Sequence, residues 1–80
     1  LENCNGMEEK ITGWIARDEN TSLYLFLEKP KKYKTYKCWD CENEVGLSSN
    51  NKELNKNLFP QVKWEDEEPT KVELTIKIKE

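Results

Sequence analysis

Cys38-Trp39-Asp40-Cys41 is the sharpest chemical signal in this chain. Two cysteines separated by two residues can form half of a zinc site or a dithiol redox pair. A structural zinc site wants four ligands. The chain has no histidine and one further cysteine, Cys4. A redox pair wants a helix N-terminus behind a strand, and no helical periodicity follows Cys41. Three readings stay open: two reduced thiols at a strand end, a local disulfide, or a metal held by Cys38 and Cys41 between two chains. Reduced thiols, with no metal and no cofactor, are the expectation.

The absence of histidine also removes the commonest general base and the Ser/His and Cys/His nucleophile systems. The glycines Gly6, Gly13 and Gly46 are isolated, so no phosphate-cradling loop is present. Carboxylates remain. Glu65, Asp66, Glu67 and Glu68 form an acidic run. It lacks the alternation and glycine of a calcium loop, and such runs usually form solvated turns. A non-enzymatic role is expected.

The remaining candidate is basic. Residues 29–37 hold Lys29, Lys31, Lys32, Lys34 and Lys37 with Tyr33 and Tyr36. Lysines neutralise phosphates and aromatic rings stack on unpaired bases. The competing reading is a solvated loop entering an edge strand, where lysine discourages sheet-to-sheet pairing. The net charge of −3 opposes polyanion binding.

These residues must be positioned by a small fold. Eighty residues make one domain. A chain of this size buries only about 60% of its unfolded surface. Apolar residues are 35% and charged residues 36%, so eight aromatics must supply much of the core. No apolar run approaches the ~20 residues of a membrane helix, and no secretory segment opens the chain. A soluble, cytoplasmic protein is the expectation. Asn20-Thr21-Ser22 matches a glycosylation sequon but carries little weight without a signal peptide. Residues 1–9 are expected to be a flexible extension, and residues 10–80 a single β domain.

A hairpin over residues 11–26 anchors the class. Strand one is expected at residues 10–16, with Gly13 marking a bulge or a close backbone approach. Asp and Asn types form the turn. Strand two is expected at residues 22–28. Leu23, Leu25 and Leu27 alternate with Tyr24 and Phe26, so both faces are apolar and the strand is central. Residues 33–39 read as one edge strand, and residues 45–47 as a short further strand. Ser49 or Asn50 can cap a turn of helix reaching Leu54. Residues 61–64 can be extended. At residues 71–79 Val72, Leu74, Ile76 and Ile78 alternate with polar residues, the clearest strand signal in the chain. Trp14, Leu25, Val72, Leu74 and Ile76 are the expected core. Trp14, Trp39 and Trp64 are evenly spaced, but their flanks share no pattern, so no repeat is inferred. The expected fold is all-β: a small antiparallel sheet of four to six strands curled into an open barrel, with at most one short helical turn.

The segments GWIARD, LYLF, EKP, LFPQVKWED and the closing VEL resemble, in this order, a group of short proteins of phages and mobile elements of gut bacteria. The likeness spans most of residues 11–74. It carries over no catalytic residue, and Cys38, Cys41 and the SSNNKELNKN segment lie outside it. It implies a compact β fold in a bacterial or phage cytoplasmic setting. Together these readings lead to a protein-binding module acting on a host or defence protein, through a sheet edge or the acidic residues Glu65–Glu68. The alternatives are a single-stranded nucleic-acid binder using residues 29–37 and a Cys38/Cys41 metal or redox protein. Oligomeric state is left open.

Overall fold

The computed structural model of the protein describes residues 8–41 and 51–79. These residues form six strands and no helix: β1 (Glu8–Arg17), β2 (Leu23–Phe26), β3 (Lys31–Tyr33), β4 (Cys38–Asp40), β5 (Asn51–Leu54) and β6 (Thr70–Lys77). Four make an antiparallel sheet in the order β5-β2-β1-β6, and β3 and β4 form a separate hairpin. The all-β class expected from the sequence is the observed one. The larger sheet is open and does not close into a barrel.

The first hairpin turns on three residues. Asp18 N–H donates to Ser22 O and Thr21 N–H donates to Asp18 O. Glu19 and Asn20 occupy the turn, and Thr21 follows in the left-handed region at φ 80°. This is a type I turn followed by a left-handed residue, a position glycine usually fills. The Asn20 side-chain oxygen accepts from Ser22 N–H and closes the bend. The turn sets Trp14 opposite Phe26 and Ile15 opposite Leu25.

Because β2 pairs with β1 on one edge and β5 on the other, its apolar residues point to two covered faces. On one face Ala16 and Phe26 pack against Trp39 and Cys41, with Tyr24 and Trp64 at the margin. The β3–β4 hairpin therefore lids this face. On the other face Ile15 and Leu23 pack under Val62, with Leu25, Leu54 and Val72 around them. A loop over residues 55–62 supplies that cover. Leu23 and Phe26 are fully buried, one on each side of the sheet.

Gly13 sits on the second face, where no larger side chain fits easily. A Cβ there would lie 3.0 Å from Leu74 Cδ1 and 3.1 Å from Phe26 O. The expected close approach is present, made by leucine methyls and a strand carbonyl.

Several local expectations are corrected. Residues 33–39 are two strands, because the chain reverses at residues 34–37 and Lys37 takes a left-handed conformation at φ 60°. Residues 51–54 are strand β5 and not a helical turn; the open edge of β2 offers them a ladder, and pairing outweighs weak capping signals. Residues 61–64 are not extended. Turns there are closed by Val62 N–H to Phe59 O and Asp66 N–H to Lys63 O. β1 begins at Glu8, paired with Lys77, so residues 8 and 9 belong to the sheet. Residues 1–7 and the expected strand at 45–47 lie outside the described residues.

The expected core is also displaced. Trp14, Leu25, Val72 and Leu74 are only half-buried and Ile76 is 56% exposed. Leu25 and Val72 still pack against the second core cluster, and for Leu74 and Ile76 the cause is topological. β6 runs along β1 from Glu8 to Ile15, whereas β2 covers only Trp14 to Arg17. The far half of β1–β6 is thus a two-stranded ribbon beyond the covered core, and alternation there does not deliver burial.

Candidate interaction site

Two features of the ribbon set β6 apart as an open edge. It is the outermost strand of its sheet, eight residues long and without proline. Among the described residues nothing pairs with its outer side, so alternate backbone N–H and C=O groups face solvent. Its lateral surface is also apolar on one side. Residues opposed in an antiparallel ladder share a face, so Ile11 and Leu74, Gly13 and Val72, and Ile76 line one side together, with Glu9 of β1 opposite Ile76. Ile76 is 56% exposed and Ile78, just past the strand, 69%. The other side carries Lys71, Glu73, Thr75 and Lys77, all exposed. A hollow of about 580 Å³ lined by Glu8, Thr75, Lys77, Ile78 and Lys79 opens at the ribbon's end. The second edge strand, β5, has four residues and offers a shorter ladder.

The acidic and basic runs, distant in sequence, meet in one groove. A hollow of about 500 Å³ is lined by Lys29, Lys31 and Lys32 together with Glu67, Glu68 and Trp39. Lys29 Nζ lies 3.1 Å from Glu68 Oε1. Lys37 Nζ lies 3.7 Å from Glu19 Oε1. Lys32 turns inward: its Nζ sits 4.4 Å from the Trp64 ring and 5.3 Å from the Trp39 ring and donates to Trp64 O at 2.5 Å. The two rings meet edge to face at 6.5 Å, so the ammonium is held by their π-faces. Lys34 and Tyr36 are exposed at the hairpin turn, and Tyr33 is half-buried.

The basic run is thus dispersed. Three of its lysines, Lys29, Lys32 and Lys37, have carboxylate or carbonyl partners, and their charge does not form one field. The acidic run is dispersed in the same way. Asp66 Oδ2 accepts from Lys63 N–H and closes a turn. Glu68 pairs with Lys29, while Glu65 and Glu67 are exposed.

The cysteines are separated by strand geometry. Side chains alternate across a strand, so the three-residue spacing of Cys38 and Cys41 sends them to opposite sides. Cys41 points inward beside Trp39 and its Sγ donates to Glu28 O at 3.3 Å. Cys38 is half-buried, and both thiols are free. Burial pushes the Cys38 thiol above its ordinary range, with Asp18 and Asp40 adding to the effect. Burial does the same to Cys41, reinforced by Glu28 and Asp40. Thiols held in the protonated form are poor nucleophiles and poor ligands. Among the described residues no three Cys, Asp or Glu side chains cluster as metal ligands would.

Sequence reasoning missed the residue that organises the covered end. Arg17 closes β1, and its Nε donates to Val62 O at 2.7 Å. Nη1 donates to Thr21 O and Lys56 O, both at 2.9 Å. Nη2 donates to Leu58 O at 2.9 Å and Phe59 O at 3.1 Å. A guanidinium has five N–H donors, and five carbonyls meet them. Arg17 therefore ties the loop over the second face and has no donor left for a ligand. The available signal is that Arg17 is the only arginine in the chain. Beside it, Asp18 Oδ1 accepts from Trp39 N–H at 3.0 Å, and Trp39 Nε1 donates to Arg17 O at 3.0 Å. These two bonds hold the hairpin against the sheet. Burial raises the Asp18 pKa; the Trp39 N–H opposes that rise and the Asp40 charge adds to it.

No protein-family model, no curated protein and no solved structure matches this chain. No helix among the described residues is long and apolar enough to cross a membrane.

Proposed function

We propose that this chain is a non-enzymatic protein-binding module that captures its partner by strand addition along β6. The observation that carries the reading is the eight-residue open edge flanked by the exposed Ile76. Main-chain bonds to such an edge give affinity, and alternate side chains beside it give selectivity. The groove between the lysines and glutamates supports it less well, because its charges already answer one another. The resemblance of GWIARD, LYLF and LFPQVKWED to short phage and mobile-element proteins supports a bacterial cytoplasmic setting. It also favours a host or defence protein as the partner.

The test joins capture to protection. A protein retained from bacterial extract on the immobilised chain should slow hydrogen exchange at the outward-facing amides of β6, every second residue. It should be lost with the double variant Ile76→Lys, Ile78→Lys, whose positions are exposed and leave the core intact. Retention by that variant, or protection confined to residues 29–37 or 65–68, refutes the reading.

A further inference from the structure

The geometry points to a second copy of this chain as the occupant of the β6 edge when no other partner is present. The inference rests on the reading of β6 as a docking edge and names what fills it. Two β6 strands would pair antiparallel about a two-fold axis, joining two four-stranded sheets into one of eight strands.

The pattern of β6 selects the register. Antiparallel self-pairing must keep like faces together, because a one-residue slip would turn every side chain over. With Thr75 on the axis, Glu73 lies opposite the partner's Lys77, and Lys77 opposite the partner's Glu73. On the other face Leu74 lies opposite the partner's Ile76. The pairing thus makes two opposite-charge pairs on the polar face. It also covers Ile76, which is 56% exposed in the single chain. Neighbouring registers are worse. With Leu74 on the axis, Lys71 faces the partner's Lys77. With Glu73 on the axis, that glutamate faces itself. With Ile76 on the axis, Glu73 reaches only the partner's Lys79, past the end of β6. With Thr75 on the axis Lys71, inside β6, does face the partner's Lys79, but Lys79 lies past the end of the strand and is not fixed in the ladder.

The experiment is sedimentation equilibrium on the purified full chain from micromolar to near-millimolar concentration. The unmodified chain should dimerise. Glu73→Lys and Lys77→Glu should each weaken the dimer roughly tenfold or more, since two favourable cross-strand pairs become repulsive. An equimolar mixture of the two variants should restore association, because each then meets the opposite charge. A monomer at near-millimolar concentration overturns the inference. So does Lys77→Glu dimerising as well as the parent, or a mixture no tighter than its components. Concentration-dependent exchange protection at the outward amides of β6 in the unmodified chain gives a readout that needs no variant; its absence also overturns the inference. A monomer that still captures a foreign protein on β6 would remove the second copy alone and leave the strand-addition reading standing.

Discussion

Replacing Arg17 by lysine tests what holds the covered end of the sheet. The change keeps one positive charge but reduces five fixed donors to three on a narrower head. Nε to Val62 O is the short, partly buried bond, and a hydrogen bond to a charged group contributes about 1.5–3 kcal/mol. The other four are exposed, so water replaces most of what they give. Arg17→Lys should then cost about 2–3 kcal/mol. A domain of this size loses roughly 4–8 °C per kcal/mol, so Tm should fall by about 10–20 °C. Thermal and urea unfolding followed by tryptophan fluorescence would measure it. A second variant identifies the cause. Val62 is 2% exposed beneath this loop, and Val62→Ala alone should cost about 1.5 kcal/mol in lost burial. If Arg17 acts by tying the loop down, Val62→Ala costs clearly less in the Arg17→Lys background, because the loop has already loosened. A shift below about 0.5 kcal/mol for Arg17→Lys would show that the five bonds hold nothing. Strict additivity with Val62→Ala would show that Arg17 does not act through the loop.

Asp18→Asn should raise stability at neutral pH. The folded-state pKa of Asp18 lies above the ordinary value of 3.8, with burial the largest cause. For a carboxyl so shifted, folding favours the protonated form. Its contribution is fully present below 3.8 and is lost as pH rises through the folded pKa. Asparagine keeps an oxygen for Trp39 N–H without ionising, so its advantage should be present at pH 7 and vanish near pH 4; a loss of stability at both would refute the argument. Thr21→Gly should add about 0.5–1 kcal/mol. A left-handed L-residue costs about 1–2 kcal/mol, and the extra freedom of an unfolded glycine returns part of that. A lower urea midpoint for this variant would refute the three-residue turn.

The parts of the fold legible in the sequence are those where one physical signal acts alone. β2 is central because leucines on one face and Tyr24 and Phe26 on the other need cover on both sides, and both are covered. β6 is a strand because its period of two is unbroken. The period fixes which way each side chain points, not whether anything lies over it, so Ile76 follows the pattern and remains exposed. The β3–β4 reversal is illegible for a different reason. Residues 34–37 contain no glycine, proline or asparagine, and Lys37 adopts a left-handed conformation without a residue type that announces it. β5 is Asn-Lys-Glu-Leu, poor in strand formers. Its conformation comes from the edge of β2, a partner distant in the chain.

The charged runs show why local sequence misleads about sites. Residues 29–37 read as a basic patch and residues 65–68 as an acidic one only while they are considered apart. Folding sets Lys29 against Glu68 and turns Lys32 inward onto two tryptophans, so neither run keeps the field its composition suggests. A strand pattern survives folding better, because alternation fixes direction locally. Lys71, Glu73, Thr75 and Lys77 must share one face wherever β6 is placed, and in this fold that face is exposed. Their order is then a property of the free edge itself. A partner of either kind, foreign or a second copy, meets positive, negative, neutral and positive groups at two-residue intervals. The charge pattern that β6 would offer a partner is therefore read from the sequence, once the structure has shown which side of the strand is open.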